Sequence, residues 1–412
     1  MTYQDRFNIN ADQTSRLLNI HHYLKLYNLQ GFANGYQLRL PKHTSEVEKG
    51  ILQARRDWAT NVHPVESKSW GCENKEFYSW SDMTLQLAKP ERLRVCSYLF
   101  EFAFLYDDLV LEDNADTVIE NTCATEALGP VTRSRSATTP IKTKKQILQA
   151  TKTLEAEIRT EIMQIDPVCG KILFSSWRDM LLAAAARDKE YIYENYDDYI
   201  RWRLLDAGAL FTGMVMLFAM GIQLTDEQKE IADKVLEPCY TALILSNDYF
   251  SFDKEWEVFS QVKDKDKKLG NAIWLFMQWN DLSIDAAKKV VRDLIFRAEA
   301  EFLRVRNEFL DKAPSHFGSL VKYIDQFYYL VPGNTLWGRT CPRYNKEYRI
   351  PLSSVGVRDK PARRGSQRRH MRNGPYPPKP PHTNCPQRVP HATDPVRGSL
   401  SALPRLRPRS RN

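Results

Sequence analysis

Three side chains spaced four residues apart could bind a divalent cation. Asn247, Ser251 and Glu255 fall on one stripe of one face if the segment is an α-helix. Their amide, hydroxyl and carboxylate oxygens are hard ligands of the kind that Mg²⁺ prefers. Lys254 lies beside the stripe and could reach a phosphate. A solvated surface turn is the alternative, but a polar stripe ending an apolar helix is costly to bury without a partner.

A pair of adjacent aspartates follows another apolar segment. Asp107 and Asp108 come where that segment ends, and Glu112 lies further along. Carboxylates at the end of an apolar helix could hold Mg²⁺ together with phosphate oxygens of a substrate. Taken alone, the pair is equally compatible with a solvated helix end.

Two further segments carry side chains that could donate to a phosphate. Arg203 and Asp206 are three residues apart and can pair on one helix face, while Gly208 in an apolar helix indicates a local break or close packing. Near residue 340, Arg343 and Tyr344 offer two more donors. Arginine binds phosphate in a bidentate manner, although each segment alone is as well explained by an ordinary intrahelical pair or a packed terminus.

Together the four segments resemble the class I terpene synthases. They are most similar to the cyclase domain of the fungal chimeric di- and sesterterpene synthases, the group that includes fusicoccadiene synthase. The order and spacing of the motifs match over residues 40–345, and the stripe on residues 247–255 matches the family's N-D-x-x-S-x-x-x-E motif in full.

The resemblance implies a role for each of these residues. The expected metal ligands are Asp107, Asn247, Ser251 and Glu255, with Glu112 as a further ligand in a six-residue form of the first motif. The expected diphosphate contacts are Arg203, Lys254, Arg343 and Tyr344. The expected catalytic residues are Arg203 as diphosphate sensor, Asp206 as linker, Ala207 as effector on a broken helix, and the terminal pair Arg343 and Tyr344.

Three acidic residues are expected to do something other than bind metal. Asp108 is expected to pair with Arg203, and Asp248 and Asp253 lie off the metal-binding stripe.

The implied reaction begins with ionisation of a linear prenyl diphosphate and continues as cyclisation of the allylic cation. Such a reaction needs an apolar cavity that excludes water and offers aromatic faces to the cation. The cavity residues expected from helical spacing are Phe100, Phe104, Phe211 and Leu243, and Trp337 of the last segment joins them.

The elements that must position these residues are predicted to be helices. Apolar residues recur at helical spacing over residues 91–111, 145–165, 199–222, 226–252, 284–310 and 317–330, and alternating strand-like runs are absent. We therefore predict an all-α helical bundle around one apolar active-site cavity.

The charge of the chain is unevenly distributed. Residues 351–412 hold 14 Lys and Arg, 2 Asp and Glu, and 12 of the 22 prolines, which leaves 45 basic and 49 acidic residues before them. We predict a disordered basic tail at 351–412, a cyclase domain at 1–350 and a disordered insertion at 114–143. The mildly acidic body gives no electrostatic support for nucleic-acid binding.

Cysteine usage and hydropathy indicate a cytoplasmic protein. Seven cysteines are scattered without CxxC spacing, which suits a reducing compartment. The first residues have no apolar signal segment, and the longest apolar run is too short for the roughly 20 residues of a membrane span.

Two alternatives remain at this level. A head-to-tail isoprenyl diphosphate synthase would carry two DDxxD motifs, and no complete one occurs. A non-catalytic helical protein with a basic interaction tail would not need the four motifs.

For a cyclase, we expect Mg²⁺ as cofactor and a prenyl diphosphate supplied by a separate prenyltransferase. Geranylgeranyl diphosphate is favoured over geranylfarnesyl diphosphate.

Overall fold

The computed structural model describes residues 3–62, 71–74, 77–108, 144–186, 193–261 and 268–348. The expected insertion at 114–143, Glu112 and the expected tail at 351–412 lie outside these ranges. In the described ranges the protein is a helical bundle, which confirms the predicted fold class.

The elements of the N-terminal part are mostly short. They are α1 (Tyr3–Arg6), α2 (Ala11–Thr14), β1 (Ser15–Leu18), α3 (Ile20–Leu26), β2 (Leu38–Pro41), α4 (Thr44–Asn61), α5 (Trp80–Thr84) and α6 (Pro90–Tyr106). The longer helices follow: α7 (Lys144–Ile165), α8 (Pro167–Ala186), α9 (Tyr196–Asp206), α10 (Ala209–Met220), α11 (Asp226–Phe259), α12 (Ala272–Asn280), α13 (Ile284–Lys312) and α14 (Gly318–Thr340), with 3₁₀ turns at Ser315–Phe317 and Lys346–Tyr348.

Two short strands accompany the helices, although the sequence shows no alternating strand-like run. They pair antiparallel, with Ser15 opposite Pro41 and Leu18 opposite Leu38. Each strand has only four residues, so neither is long enough to show the alternating pattern from which strands are predicted.

The helix predicted over residues 199–222 is broken in the middle. The first half ends at Asp206, and Gly208 takes a left-handed conformation with φ of +70° before α10 begins. A Cβ atom on Gly208 would lie 2.7 Å from the Met180 sulfur on α8. Both the backbone angle and the close contact favour glycine, so the local break expected from Gly208 is present.

Helix α14 lies at the centre of the bundle and extends ten residues beyond its predicted end at 330. It contains Pro332, and nearly every one of its side chains is buried. At Gly333 a Cβ atom would come within 2.8 Å of the Met83 backbone oxygen. This close approach of α5 requires a residue without a side chain.

The buried apolar side chains of the described residues form three clusters, and the two largest share the partly buried Trp80, Phe104 and Met214. Helix α4 packs mainly on α6, and α11 packs on α13 and α14. No single helix of the described ranges is long and apolar enough to cross a membrane. Judged by length and composition alone, the pair α9 and α10, which is bent by 42°, could form a broken membrane span.

Candidate active site

A cavity of about 370 Å³ opens between α6, the α9–α10 break, α11 and α14. This volume falls in the ordinary range of small-molecule sites. The five side chains expected to form the cavity all line it: Phe100, Phe104, Phe211, Leu243 and Trp337. Its wall is therefore largely aromatic and aliphatic, whereas its rim is polar.

The rim on α11 carries the oxygen-bearing stripe. Asn247 and Glu255 line the cavity, and Ser251 lies between them, 1% exposed. The Ser251 hydroxyl oxygen has no hydrogen-bond partner among the described residues. A buried hydroxyl without a partner is uncommon in folded proteins, and here it sits between two other hard oxygen donors.

The acidic pair at the end of α6 is held by arginine and lysine. Arg343 donates from Nη2 to Asp107 at 2.5 Å and from Nη1 to Asp108. The Lys254 ammonium lies 3.9 Å from Asp108. Asp107 remains 37% exposed at the side chain and lines the cavity, whereas Asp108 is buried.

The expected pairing of Asp108 with Arg203 is wrong. Arg203 is buried and forms ion pairs with Asp206 and Asp248, the latter at 2.9 Å. Its Nη2 also donates to the Asn247 amide oxygen at 3.0 Å. Asp206 precedes the helix break by two residues. Arg203 therefore links the segment beside the break to Asn247 and Asp248 on α11.

Asp248 is buried and binds Arg203 rather than facing the cavity. Burial raises the pKa of its carboxyl to about 6, while the Arg203 charge opposes the rise. The carboxylate also accepts from the Tyr199 hydroxyl and, at 3.0 Å, from the Ala272 N–H. It is therefore ionised at neutral pH and stabilises the guanidinium.

Glu255 is oriented by a residue that the sequence reasoning did not identify. Asn271, fully buried at the start of α12, donates from Nδ2 to Glu255 at 2.9 Å and to the Asp248 main-chain oxygen at 2.9 Å. Its own oxygen accepts from the Ile273 N–H. Helical spacing along α11 could not identify Asn271, because this residue lies at the start of a different helix, α12.

The terminal pair closes the rim from the side of α14. The Tyr344 hydroxyl accepts from the Asn247 amide at 2.8 Å, and its ring lies 5.4 Å from Trp337. Burial raises the pKa of the Tyr344 phenol, so it stays protonated. The Arg343 guanidinium lies 5.2 Å from the Phe104 ring centroid.

The chain is similar to fungal terpene synthases along most of its length. It is 33% identical to terpene cyclase ATR13 of Stachybotrys chlorohalonatus over 350 residues, which cover 81% of this chain and 87% of that protein. The chain belongs to the terpene synthase family. Residues 98–301 match the family model described as terpene synthase family 2, C-terminal metal binding.

This terpene synthase is also 36% identical to variediene synthase of Emericella variicolor, over 77% of this chain but 43% of that protein. The chain thus spans less than half the length of that relative. Wild-type cucumene synthase shares the fold at a TM-score of 0.53, with 13% sequence identity, 73% of this chain and 97% of that chain covered.

Several lining residues of the terpene synthase carry no sequence signal of their own. Trp80, from the five-residue helix α5, packs edge-to-face on Trp337 with the ring centroids 5.2 Å apart. Met180 lines the wall from α8, and Lys268 lies at the rim. Their chain neighbours form no motif, so only the packing of the helices brings them to the cavity.

Within the described ranges, no group of three or more His, Cys, Asp or Glu converges as a metal site. Metal binding in this terpene synthase would therefore depend on Asn247 and Ser251 as well as on carboxylates. The remaining expected residues, Ala207 at the break and Lys254 on α11, both line the cavity.

Proposed function

We propose that this chain is a Mg²⁺-dependent terpene cyclase that ionises a linear prenyl diphosphate, cyclises the allylic cation to a polycyclic diterpene and releases diphosphate. One observation carries the proposal. A single cavity joins an aromatic wall to a rim where the cations Arg203, Lys254 and Arg343 stand beside hard oxygen ligands. Such a site suits a substrate with an apolar chain and an anionic head.

The donor set at the rim fits a hard divalent cation. Asn247, Ser251 and Glu255 would hold it from α11, and Asp107 from α6. The Ser251 hydroxyl has no protein partner in the described part of the chain to compete for it. The Asn247 oxygen accepts one bond from Arg203 and keeps a second lone pair. Bound Mg²⁺ supplies electrostatic stabilisation of the charge on the departing diphosphate.

The protein's own cations act on the same charge. As the allylic carbon–oxygen bond breaks, its electron pair leaves with the diphosphate oxygen. Arg203, Lys254 and Arg343 offer fixed positive charges to that anion. Arg343 reaches both the acidic pair and the cavity, so its guanidinium can move from the carboxylates to the diphosphate.

The wall then determines the fate of the cation. Phe100, Phe104, Phe211 and Trp337 present ring faces or edges that exclude water and can stabilise positive charge. Ala207 and Gly208 contribute the helix break to the same wall.

The proposed substrate is geranylgeranyl diphosphate, with geranylfarnesyl diphosphate as the longer alternative. We place the protein in the cytoplasm, because Cys72, Cys96, Cys169, Cys239 and Cys341 are buried and form no disulfide, which suits a reducing compartment.

The test is diphosphate release from C15, C20 and C25 prenyl diphosphates, with products identified by mass spectrometry. Glu255→Gln should lower release at least about 100-fold with an unchanged circular dichroism spectrum, because a ligand carboxylate is lost. Glu257→Gln, the same change on the exposed side of α11, is the matched control and should stay within about twofold. A fully active Glu255→Gln variant, or full activity in EDTA, would refute the assignment. A wild-type protein inert toward all three substrates would favour a non-catalytic helical protein.

A further inference from the structure

A polar side chain of α14 lies within the apolar wall of the cavity, as Thr212 of α10 also does. Asn334 lies on the face of α14 that also presents Leu330 and Trp337, one turn before and one turn after it. All three line the cavity, and Asn334 is 6% exposed. It stands opposite Leu243 on α11, below the rim residues of that helix.

The amide of Asn334 has a defined orientation. Its Nδ2 donates to the main-chain oxygen of Leu243 at 3.3 Å. A flipped amide would place two acceptor oxygens against each other, so the observed orientation is the favourable one. No donor among the described residues reaches the Asn334 side-chain oxygen. Asn334 lines the cavity, and this oxygen is the part of its side chain that no described protein group engages.

A polar acceptor on an apolar wall loses its solvent partners once a hydrocarbon chain fills the cavity, which costs free energy. A leucine of nearly the same size would fill the position without that loss. The hydrocarbon chain of a prenyl diphosphate has no hydrogen-bond donor to offer the oxygen. The positively polarised partner that the proposed reaction brings into the cavity is the carbocation left after diphosphate departs.

We propose that the side-chain oxygen of Asn334 contacts this cation and selects which cationic carbon is stabilised, so that Asn334 determines product specificity. The inference rests on the proposed cyclase function. The negative end of the amide dipole acts on the charge through a cavity of low dielectric constant, where such interactions are strong. No bond to Asn334 forms or breaks, and no proton moves to it.

The test compares Asn334→Leu with Thr335→Val. Thr335 is the next residue of α14, is fully buried and has a hydroxyl without a partner among the described residues, but it does not line the cavity. Both changes replace a buried polar side chain by an apolar one of similar size. Products are measured by gas chromatography–mass spectrometry and divided by the diphosphate released, which separates product choice from rate.

Asn334→Leu should change the ratio of the main product to its alternatives by about tenfold, the size expected when a charge loses a polar contact. Thr335→Val should leave that ratio within about twofold. Asn334→Asp, neutral in an apolar cavity, keeps an oxygen of the same shape and should retain the main product. If the leucine variant does not fold, Asn334→Met provides a flexible apolar replacement.

Unchanged product ratios in Asn334→Leu or Asn334→Met would overturn the inference and leave the cyclase proposal intact. If the product ratio of Asn334→Asp changed as much as that of Asn334→Leu, the inference would be overturned as well, because an oxygen of the same shape would then not preserve the product. Absence of diphosphate release from the wild-type protein would overturn the cyclase proposal, and this inference with it.

Discussion

The contact between Asn271 and Glu255 predicts a specific loss of metal affinity. In Asn271→Asp, an oxygen replaces the amide nitrogen that now lies 2.9 Å from the Glu255 carboxylate. The helix-capping bond to the Ile273 N–H is retained, because the other oxygen is unchanged. A hydrogen bond to a carboxylate contributes about 1.5–3 kcal/mol, and the variant adds like-charge repulsion. We expect Mg²⁺ affinity to fall by roughly 10- to 100-fold, as for other residues that orient metal ligands.

The assay is a Mg²⁺ titration followed in two ways, by calorimetry with inorganic diphosphate and by the Mg²⁺ dependence of diphosphate release. Asn280→Asp makes the same change at the exposed end of the same helix and should leave the Mg²⁺ dependence unaltered. Asn271→Ser shortens the side chain, so that its hydroxyl no longer reaches Glu255, without adding charge, and should fall between the two. An Asn271→Asp protein that binds Mg²⁺ within about threefold of wild type would refute the positioning role.

Three other changes test burial, backbone and charge. Burial raises the pKa of Glu299 to about 8, with only the Ala33 N–H opposing it. The folded state therefore holds a proton that the unfolded chain has released between about pH 4.5 and 8, and stability falls as pH rises through this window. The free energy of unfolding of Glu299→Gln, relative to that of the wild type, should increase by on the order of 3 kcal/mol from pH 5 to pH 8. A stability difference between variant and wild type that is the same at both pH values, measured by thermal unfolding, would contradict this. Gly208→Ala should lower the free energy of unfolding by about 1–2 kcal/mol, given the positive φ and the 2.7 Å approach to Met180; an unchanged melting temperature would show that the break tolerates a side chain. Arg343→Lys keeps the charge but cannot bridge two carboxylates, so diphosphate release should fall about tenfold in a folded protein, and wild-type rates would argue against a bidentate role.

Periodicity was informative where one helix face is apolar over several turns. Helix α7 was predicted over 145–165 and spans Lys144–Ile165, because its amphipathic pattern is long and uninterrupted. The same reasoning identified Phe100, Phe104 and Leu243, which lie one or two turns from a motif residue along their helices, and all three line the cavity.

Contacts between segments that are distant in the sequence could not be predicted from periodicity. Asn271 reaches Glu255 across a chain reversal, Trp80 comes from a helix of five residues, and Arg343 bridges the aspartates of α6 from the far end of the chain. The reassignment of Asp108 from Arg203 to Arg343 has the same origin. Spacing along one helix determines which residues share a face, but tertiary packing determines what that face meets.

The burial of α14 on all sides has an evolutionary consequence. At Gly333 the backbone of α5 leaves no room for even a methyl group, and the neighbouring cavity residues Leu330 and Trp337 are almost entirely enclosed. Substitutions on this helix must therefore satisfy several neighbours at once and will seldom be neutral. Lineages that diversify their products by gradual drift should accumulate changes on the α8 side of the cavity, near Met180, and change α14 mainly at Asn334, which lines the cavity.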